Sequence, residues 1–427
     1  MTILVLGATG FIGQQVLLSL RASGHPVIGL GRDTRQASAR YPAATWIARD
    51  LRTLRQAADW QPLLEDVTAV VNCAGALQDG LRDDLVAVQR DAMLALQQAV
   101  AMRATPPLLI QISAPENLAS AATAFMTTKL EADRALAASG LPHVILRPTV
   151  VVGRNAYGGT ALLRAIASFP AVLPLVDAES PMNTVHVHDV AQAVVDAVEG
   201  RIAPGSDLVL AGQPTRSVEE MARFYRRWLG LADAPVIRLP SGLARPLSLA
   251  ADLAGRLGWR SPLRSTAIRI SGIGVAPERA RPTLTAPDPT LRLATEPAAV
   301  QDLWFARLYL LKPLMILTLS LFWIISGLVP LLDPVTTSLR FGASMAAGMA
   351  LSVTILTSLL DIALGLAILV QPWAKRAMLG MIVVSLGYLA GGTLIEPTLW
   401  LDPLGPLVKV LPSILLTLAT LAILEER

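Results

Sequence analysis

The chain has 427 residues, is 53% hydrophobic and only 16% charged, and has a mean hydropathy of +0.52. That charged fraction is well below the roughly 25% usual for soluble globular domains, which excludes a wholly soluble protein and a disordered one alike. The deficit is local, with 12 charged residues in the 119 of 309–427 and 56 in the 308 of 1–308, so a soluble part is joined to a membrane part.

The single cysteine, Cys73, excludes an intramolecular disulfide framework and fits a reducing compartment. No secretory leader is expected, because Ile3-Leu4-Val5-Leu6 is a strand-type run that enters a glycine turn without a basic stretch or cleavage site. The turn is Gly7-Ala8-Thr9-Gly10-Phe11-Ile12-Gly13, and Val16, Leu17, Leu18 and Leu20 follow at helical spacing. Strand, glycine turn and helix are the context a dinucleotide fingerprint requires. Gly7 permits the tight turn, Gly10 lets the backbone approach a pyrophosphate, and Gly13 lets helix and strand pack closely. Unpaired N–H groups at the helix start then face the phosphates.

The end of the second strand selects the cofactor. An acidic side chain there binds the ribose 2′-OH of NAD, whereas arginine accommodates the 2′-phosphate of NADP. Arg32, with Arg35 close by, favours NADP(H) over NAD(H); Asp33 serves the NAD(H) reading if the strand ends one residue later.

The GxxGxxG spacing resembles the extended and atypical branches of the short-chain dehydrogenase/reductase superfamily. Further segments match in the family's order. Pro26–Leu30 resembles the second strand, Asp50-Leu51 the adenine-contacting pair, Val70–Gly75 the fourth strand with its NAG-type turn, and Leu108–Ser113 the fifth strand. Ile145–Gly153 and Val185–Ala191 are also similar to extended and atypical members. The resemblance implies a Rossmann-like doubly wound parallel α/β sheet. It also implies a cofactor-binding set of Gly7, Thr9, Gly10, Phe11, Ile12, Gly13, Arg32, Arg35, Asp50, Leu51, Cys73, Ala74, Gly75, Lys129 and Pro148.

In this superfamily a Tyr-x-x-x-Lys pair carries the chemistry, and a spacing of four puts both side chains on one helix face. The matching segment is Phe125-Met126-Thr127-Thr128-Lys129, so phenylalanine stands at the tyrosine position. Lys129 is the only lysine in the first 311 residues, and the resemblance gives it the nicotinamide ribose hydroxyls, a task to which a planar guanidinium is poorly suited. Ser113 lies where the family places the serine that orients a substrate carbonyl; an ordinary turn serine is the other reading. Phenylalanine neither donates nor accepts a proton, so ordinary carbonyl reduction or sugar epimerisation is not expected. Thr127, Thr128, His186 and His188 are weak substitutes, the last two preceding a helix that Asp189 is expected to cap. A retained fingerprint and lysine with the tyrosine lost resembles the NmrA-like redox sensors and the nucleotide-binding accessory subunit of respiratory complex I.

Leu208–Gly212 and the helix from Ser217 to Leu231 resemble the small C-terminal lobe of extended members, with Ser217 and Glu220 at capping-box spacing. The excess positive charge lies next in the chain. Residues 216–307 hold 14 basic and 8 acidic side chains, against 16 and 18 in 1–215 and 6 and 6 in 308–427. Just ahead of the membrane part it reads as attraction to anionic headgroups rather than as a nucleic-acid face; a solvated arginine-rich surface is the simpler alternative. Leu243–Trp259 is read either as an amphipathic helix lying on the bilayer or as a helix packed on the lobe.

Four apolar stretches follow, Pro313–Leu332, Phe341–Trp373, Ala377–Ile395 and Pro403–Leu424, each able to supply the roughly 20 residues a span needs. Lys375 and Arg376 lie in the loop between spans two and three, while the other loops hold only Arg340 as a basic residue. The positive-inside bias makes the middle loop cytoplasmic and, with four spans, both termini too. Asp361 and Lys409 are charged residues within spans: a structural pair, the lining of a cavity for a proton or headgroup, or a snorkelling lysine. Trp304, Trp373 and Trp400 lie at span ends as interfacial anchors. Leu359–Gly365, Trp400–Lys409 and Ala306–Pro313 resemble the DoxX-like membrane domain, whose relatives are associated with quinone-linked oxidation.

The expected architecture is an NAD(P)-binding domain with a small lobe over 1–235, a basic juxtamembrane segment over 236–305, and an all-α domain of four transmembrane helices over 306–427. It is placed in the inner (plasma) membrane with the N-terminal domain and C-terminus cytoplasmic. Two functions stand: an NADP(H)-dependent oxidoreductase serving a quinone or other lipid-soluble acceptor, and a non-catalytic NADPH-binding module that reports redox state or stabilises a membrane complex with other subunits. The bilayer is the expected partner; no nucleic acid or metal is expected.

Overall fold

A computed structural model describes residues 2–75, 79–80, 83–116, 123–155, 157–240, 242, 244–261, 263, 281–339, 346–403 and 405–425. The chain forms two compact units, one of Met1–Asp252 with Ser261–Ala306 and one of Leu253–Arg260 with Arg307–Arg427.

The first unit is built on one eight-stranded sheet. Its strands are β1 (Thr2–Leu6), β2 (Val27–Gly31), β3 (Thr45–Ala48), β4 (Val67–Asn72), β5 (Leu108–Ile112), β6 (His143–Pro148), β7 (Ser206–Gly212) and β8 (Thr283–Ala286). They lie in the order β8-β7-β6-β5-β4-β1-β2-β3, all parallel. Both faces are covered because both sets of alternating side chains are apolar. Ile3, Val5, Val71 and Ile110 pack with helices α1 (Phe11–Ala22) and α5 (Val187–Val198). Leu4, Leu6, Val70 and Leu109 pack with α2 (Ala92–Ala101) and α3 (Ala124–Ala138). Buried parallel strands read as continuous apolar runs for this reason. The chain reverses its direction of travel across the sheet between β1 and β4, the place where such folds open a crevice.

Two readings change here. Leu208–Gly212, expected in the lobe, lies in the main sheet, because its apolar run is buried between β6 and β8. Strand β8 itself comes from the stretch that composition marked as basic; residues 264–280 and the expected loop residue Arg340 lie outside the described residues. The lobe packs α4 (Gly158–Ala167) against α6 (Val218–Trp228), and Ser217 caps α6 in a capping box with Glu220, as its spacing predicts. Arg164 is buried between the Tyr225 and Trp228 rings, 5.0 and 4.7 Å from their centroids, and donates to Arg154 O.

In the second unit, α9 (Val300–Leu332), whose first turns belong to the first unit, precedes α11 (Ala347–Ala367) and α12 (Gln371–Ile395), with the short α10 (Pro334–Leu339) after α9. These three long helices are apolar enough to cross a membrane, while α13 (Val410–Ala422) has 13 residues. The fourth apolar stretch is helical over only part of its length because Pro403, Gly405 at φ +57° and Pro406 interrupt it. The interior mixes an apolar cluster of Ile316, Leu319, Trp323, Met378 and Met381 with polar side chains, and the surface is rich in aliphatic ones. Thr354, Ser358 and Asp361 on α11, Ser385 on α12 and Thr417 and Thr420 on α13 are buried, while Leu356, Leu359, Val383, Leu386, Leu415 and Leu418 are exposed. Small residues let backbones approach: a Cβ on Gly365 would lie 2.9 Å from Ser320 O, and Ser320 Oγ donates to Gly365 O at 2.7 Å.

One buried ionic cluster ties the first unit together. Arg147 on β6 is 2% exposed and pairs with Asp133 of α3 at 2.9 Å and with Asp207 of β7 at 2.7 Å. Arg281, just before β8, also pairs with Asp207 and reaches Glu116 at 2.5 Å. Removing Arg147 leaves the Asp133 carboxylate, 1% exposed, without its counter-charge. Arg147→Met is expected to cost roughly 3–5 kcal/mol, read as a fall in the thermal unfolding midpoint of the purified chain, whereas Arg201→Met, at an exposed ion pair, leaves the midpoint unchanged.

Candidate nucleotide site

The glycine turn takes the form its residues dictate. Gly7 sits at φ +68°, and a Cβ on it would lie 2.9 Å from Ala74 N, so the turns after β1 and β4 meet only because that position has no side chain. A Cβ on Gly13 would fall 2.2 Å from Gly7 O, closing helix onto turn. Ala8 N donates to Leu30 O at 3.1 Å and Gly10 N to Gly7 O at 2.9 Å, which fixes the turn's shape. Gly10 caps α1 with no side-chain hydrogen bond, and the first turn holds no acidic residue. The first helical bond runs from Gln14 N to Gly10 O, so the N–H groups of Phe11, Ile12 and Gly13 precede the helix ladder. This is a cradle of bare backbone at a positive helix end, and it fits a dinucleotide's phosphates.

The turn after β4 completes the floor. Asn72 Oδ1 accepts from Ala74 N at 3.0 Å while its amide donates to Gln111 at 2.9 Å, a brace that motif reading missed. Burial pushes the Cys73 thiol up to about 12, against the pull of Lys129, which disfavours its thiolate. Lys129 is buried beside Gly75, with Nζ 3.7 Å from where a Cβ on that glycine would stand, and it donates to Ile112 O at 2.9 Å. Burial lowers its pKa, opposed chiefly by Asp133. Its ammonium lies 5.8 Å from the centroid of the Phe125 ring, so the position expected to carry a phenol offers only a π face.

The other expected groups divide into those at the crevice and those committed elsewhere. Thr9 lies against Gly31 at the end of β2, and Arg32 follows, half-exposed and paired with Asp83 at 2.9 Å. Asp33 is bound by Arg35 through Nη2 at 2.6 Å, which holds its carboxyl down at about 2. Asp50 is held by Arg52 at 2.6 Å, which lowers its pKa, with a smaller contribution from Arg32; Leu51 beside it is buried. Pro148 is buried at the end of β6, where its carbonyl-side neighbour Thr149 bonds Leu210 O at 2.9 Å. Ser113 does not present a free hydroxyl. It donates to Asp133 at 2.5 Å and accepts from Arg147 at 3.2 Å. Thr127 and Thr128 donate to Thr123 O and Ala124 O, and Thr128 also to Gln89. Asp133 stands four residues after Lys129, a signal the sequence offered and motif matching passed over.

The cap of α5 differs from expectation. His186 is the N-cap, its Nδ1 accepting from His188 N at 3.2 Å, while Asp189 sits in the first turn and takes a bond from Arg292 at 3.3 Å. The strand leaves His186 in the extended conformation that a cap needs. In the membrane unit, Asp361 accepts from Tyr388 at 2.7 Å, and Lys409 is exposed at the start of α13. Trp304, Trp373 and Trp400 are all exposed.

A parallel doubly wound sheet with a bare glycine cradle at its switch point defines a dinucleotide-binding class of domain. Residues 3–211 match the NAD dependent epimerase/dehydratase family, and residues 320–418 match the DoxX-like family. A 3-diazoavenalumate denitrifying reductase from a Streptomyces species is 32% identical over 322 residues, 66% of this chain and 95% of that protein. The chain belongs to the NAD dependent epimerase/dehydratase family and carries a DoxX-like domain at its C-terminal side. Among solved structures, a dTDP-glucose 4,6-dehydratase from Bacillus anthracis in complex with NAD is similar at 17% identity and TM-score 0.48, over 57% of this chain and 85% of that one. A UDP-glucose 4-epimerase from Thermotoga maritima with UDP-glucose is similar at 17% identity and TM-score 0.46, over 64% and 98%.

His186 gives a pH prediction. Burial first, then Arg292 and His188, hold its pKa down to about 4, below the ordinary 6.5. An unfolded imidazole takes a proton below 6.5 that the folded one refuses, so stability falls as pH drops from 6.5 to about 4 and this contribution is constant below that. His186→Asn keeps a capping acceptor and is expected to flatten the unfolding midpoint across that window.

Proposed function

We propose that this chain is a membrane-anchored NADP(H)-dependent reductase whose acceptor is a quinone or another lipid-soluble molecule that takes hydride without a proton from the protein. The observation that carries this reading is the pairing of a buried, hydrogen-bonded Lys129 with Phe125. The cofactor, when bound, supplies hydride. The backbone of Gly7, Thr9, Gly10, Phe11, Ile12 and Gly13 holds the phosphates; Asp50 and Leu51 border the adenine; Cys73, Ala74, Gly75, Pro148 and Lys129 border the nicotinamide ribose. Arg32, half-exposed at the end of β2, serves a 2′-phosphate with the exposed Arg35, each by exchanging its present carboxylate partner, Asp83 or Asp33, for the phosphate.

Phe125 has no proton to give, and the Ser113 hydroxyl is spent on Asp133. The acceptor must therefore be one whose reduction tolerates this. A quinone becomes a stable hydroquinone anion on hydride addition and is protonated by water. A diazo-derived cation that takes hydride and loses dinitrogen needs no acid either, and the Streptomyces relative is named as a denitrifying reductase of a diazo compound. The lipid-soluble class is supported by the DoxX-like unit, which exposes many leucines and buries several hydroxyls and one carboxylate beside its apolar cluster. Lys375 and Arg376, expected in the loop, lie in the first turns of α12; four spans with that helix end, the nucleotide domain and the C-terminus on the cytoplasmic side of the inner membrane complete the reading.

A second reading, a non-catalytic NADPH-binding module within a membrane complex, is favoured by the same Phe125 and committed Ser113. Stopped-flow mixing of the purified protein in lipid with NADPH separates the two: rapid oxidation on adding a soluble quinone is expected, and binding without turnover for any acceptor of this class removes the enzyme. Wild type is expected to prefer NADPH over NADH, and Arg32→Ala to lose about tenfold of that preference, the worth of one charge-assisted hydrogen bond. Equal wild-type affinities overturn the NADP(H) assignment.

A further inference from the structure

Helix α7 (Ala244–Arg256) has its faces reversed for a helix in water. Ser248, Ala251 and Gly255 are its buried positions, whereas Leu249 is 69% and Leu253 60% exposed; Leu247 is exposed on another side of the helix. On a 3.6-residue pitch Leu249 and Leu253 share one side, and Arg245 and Arg256 flank it. Water penalises two exposed leucines on one face, at roughly 25 cal/mol per Å² of apolar surface. The end of this helix is tied at a definite level of the membrane unit. Gln371 N donates to Leu257 O at 2.9 Å, and Trp259 Nε1 donates to Leu369 O at 2.6 Å. Both partners belong to the turn between α11 and α12, beside Lys375 and Arg376, and Lys312 lies 5.9 Å from the Trp259 ring centroid. That turn is where two long apolar helices end, so it marks the edge of the hydrocarbon layer.

We propose that α7 is an interfacial helix whose Leu249–Leu253 face is embedded in the headgroup and upper acyl region of the cytoplasmic leaflet, with Arg245 and Arg256 meeting anionic headgroups. The occupant of this face is lipid because it is continuous with the membrane unit through the Leu257 and Trp259 bonds, and because its apolar centre with cationic flanks complements an anionic bilayer surface. The proposal rests on the reading that α9, α11 and α12 cross the bilayer.

The test uses the full chain in phosphatidylcholine/phosphatidylglycerol vesicles, with an environment-sensitive fluorophore on Leu249→Cys, Leu253→Cys or, on the outward side of α11, Leu359→Cys. The parent chain, whose one cysteine Cys73 is half-buried, is the labelling blank, and its signal is subtracted. Probes at 249 and 253 are expected to emit blue-shifted light and to be quenched more by spin-labelled lipid near the headgroup than by lipid labelled deep in the chain, a depth of about 5–10 Å. The probe at 359 is expected to show the reverse order. If 359 is deep but 249 and 253 are quenched by aqueous iodide and by neither lipid, or are shielded from all three quenchers by protein, the α7 proposal is overturned while the spanning reading stands. Iodide quenching at 359 overturns the spanning reading itself.

Discussion

A buried guanidinium that must be neutralised holds the nucleotide domain in register. Arg147 lies near the carboxyl end of β6, where no water reaches, and its charge is tolerable only because Asp133 and Asp207 face it. Those two carboxylates come from a helix on one face and from the next strand, and Arg281 extends the cluster to the strand after that. The same cluster absorbs Ser113 and contributes to the electrostatic setting of Lys129. Fold and candidate site thus share one set of charges, and the group that an ordinary reductase would turn toward its substrate is turned inward here.

The membrane unit follows the opposite solvent logic. Its helices bury hydroxyls, glycines and one carboxylate alongside an apolar cluster while exposing many leucines, and they approach through small residues such as Gly365 and Gly327. Tyr388 gives Asp361 a hydrogen-bond partner in the interior, and Lys409 is left to the periphery. Lys312, within α9, donates to Leu424 O at 2.9 Å; the charges of this unit are few, and two of those inside its helices, Asp361 and Lys312, find hydrogen-bond partners.

Most of the fold was legible because its signals are local. The glycine turn, the strands β1, β2, β4 and β5 and the capping box at Ser217 each depend on a few adjacent residues, and each formed where its pattern lies. What composition and motif could not reach is tertiary. Strand β8 is short and follows an arginine-rich stretch, and only pairing with β7 makes it a strand. The cap of α5 passed from Asp189 to His186 because an imidazole in an extended conformation can accept from the backbone as a carboxylate does. The fate of Ser113 was hidden for a similar reason, since its hydroxyl is claimed by residues 20 and 34 positions away.

The one cysteine has a wider consequence. Cys73 lines the floor of the crevice with its thiol held neutral, and the chain contains no second sulfhydryl with which it could pair. Peroxide and glutathione act on thiolates, and burial disfavours that form of Cys73. With one sulfhydryl, and that one held toward its neutral form, the chain has no intramolecular disulfide switch of its own.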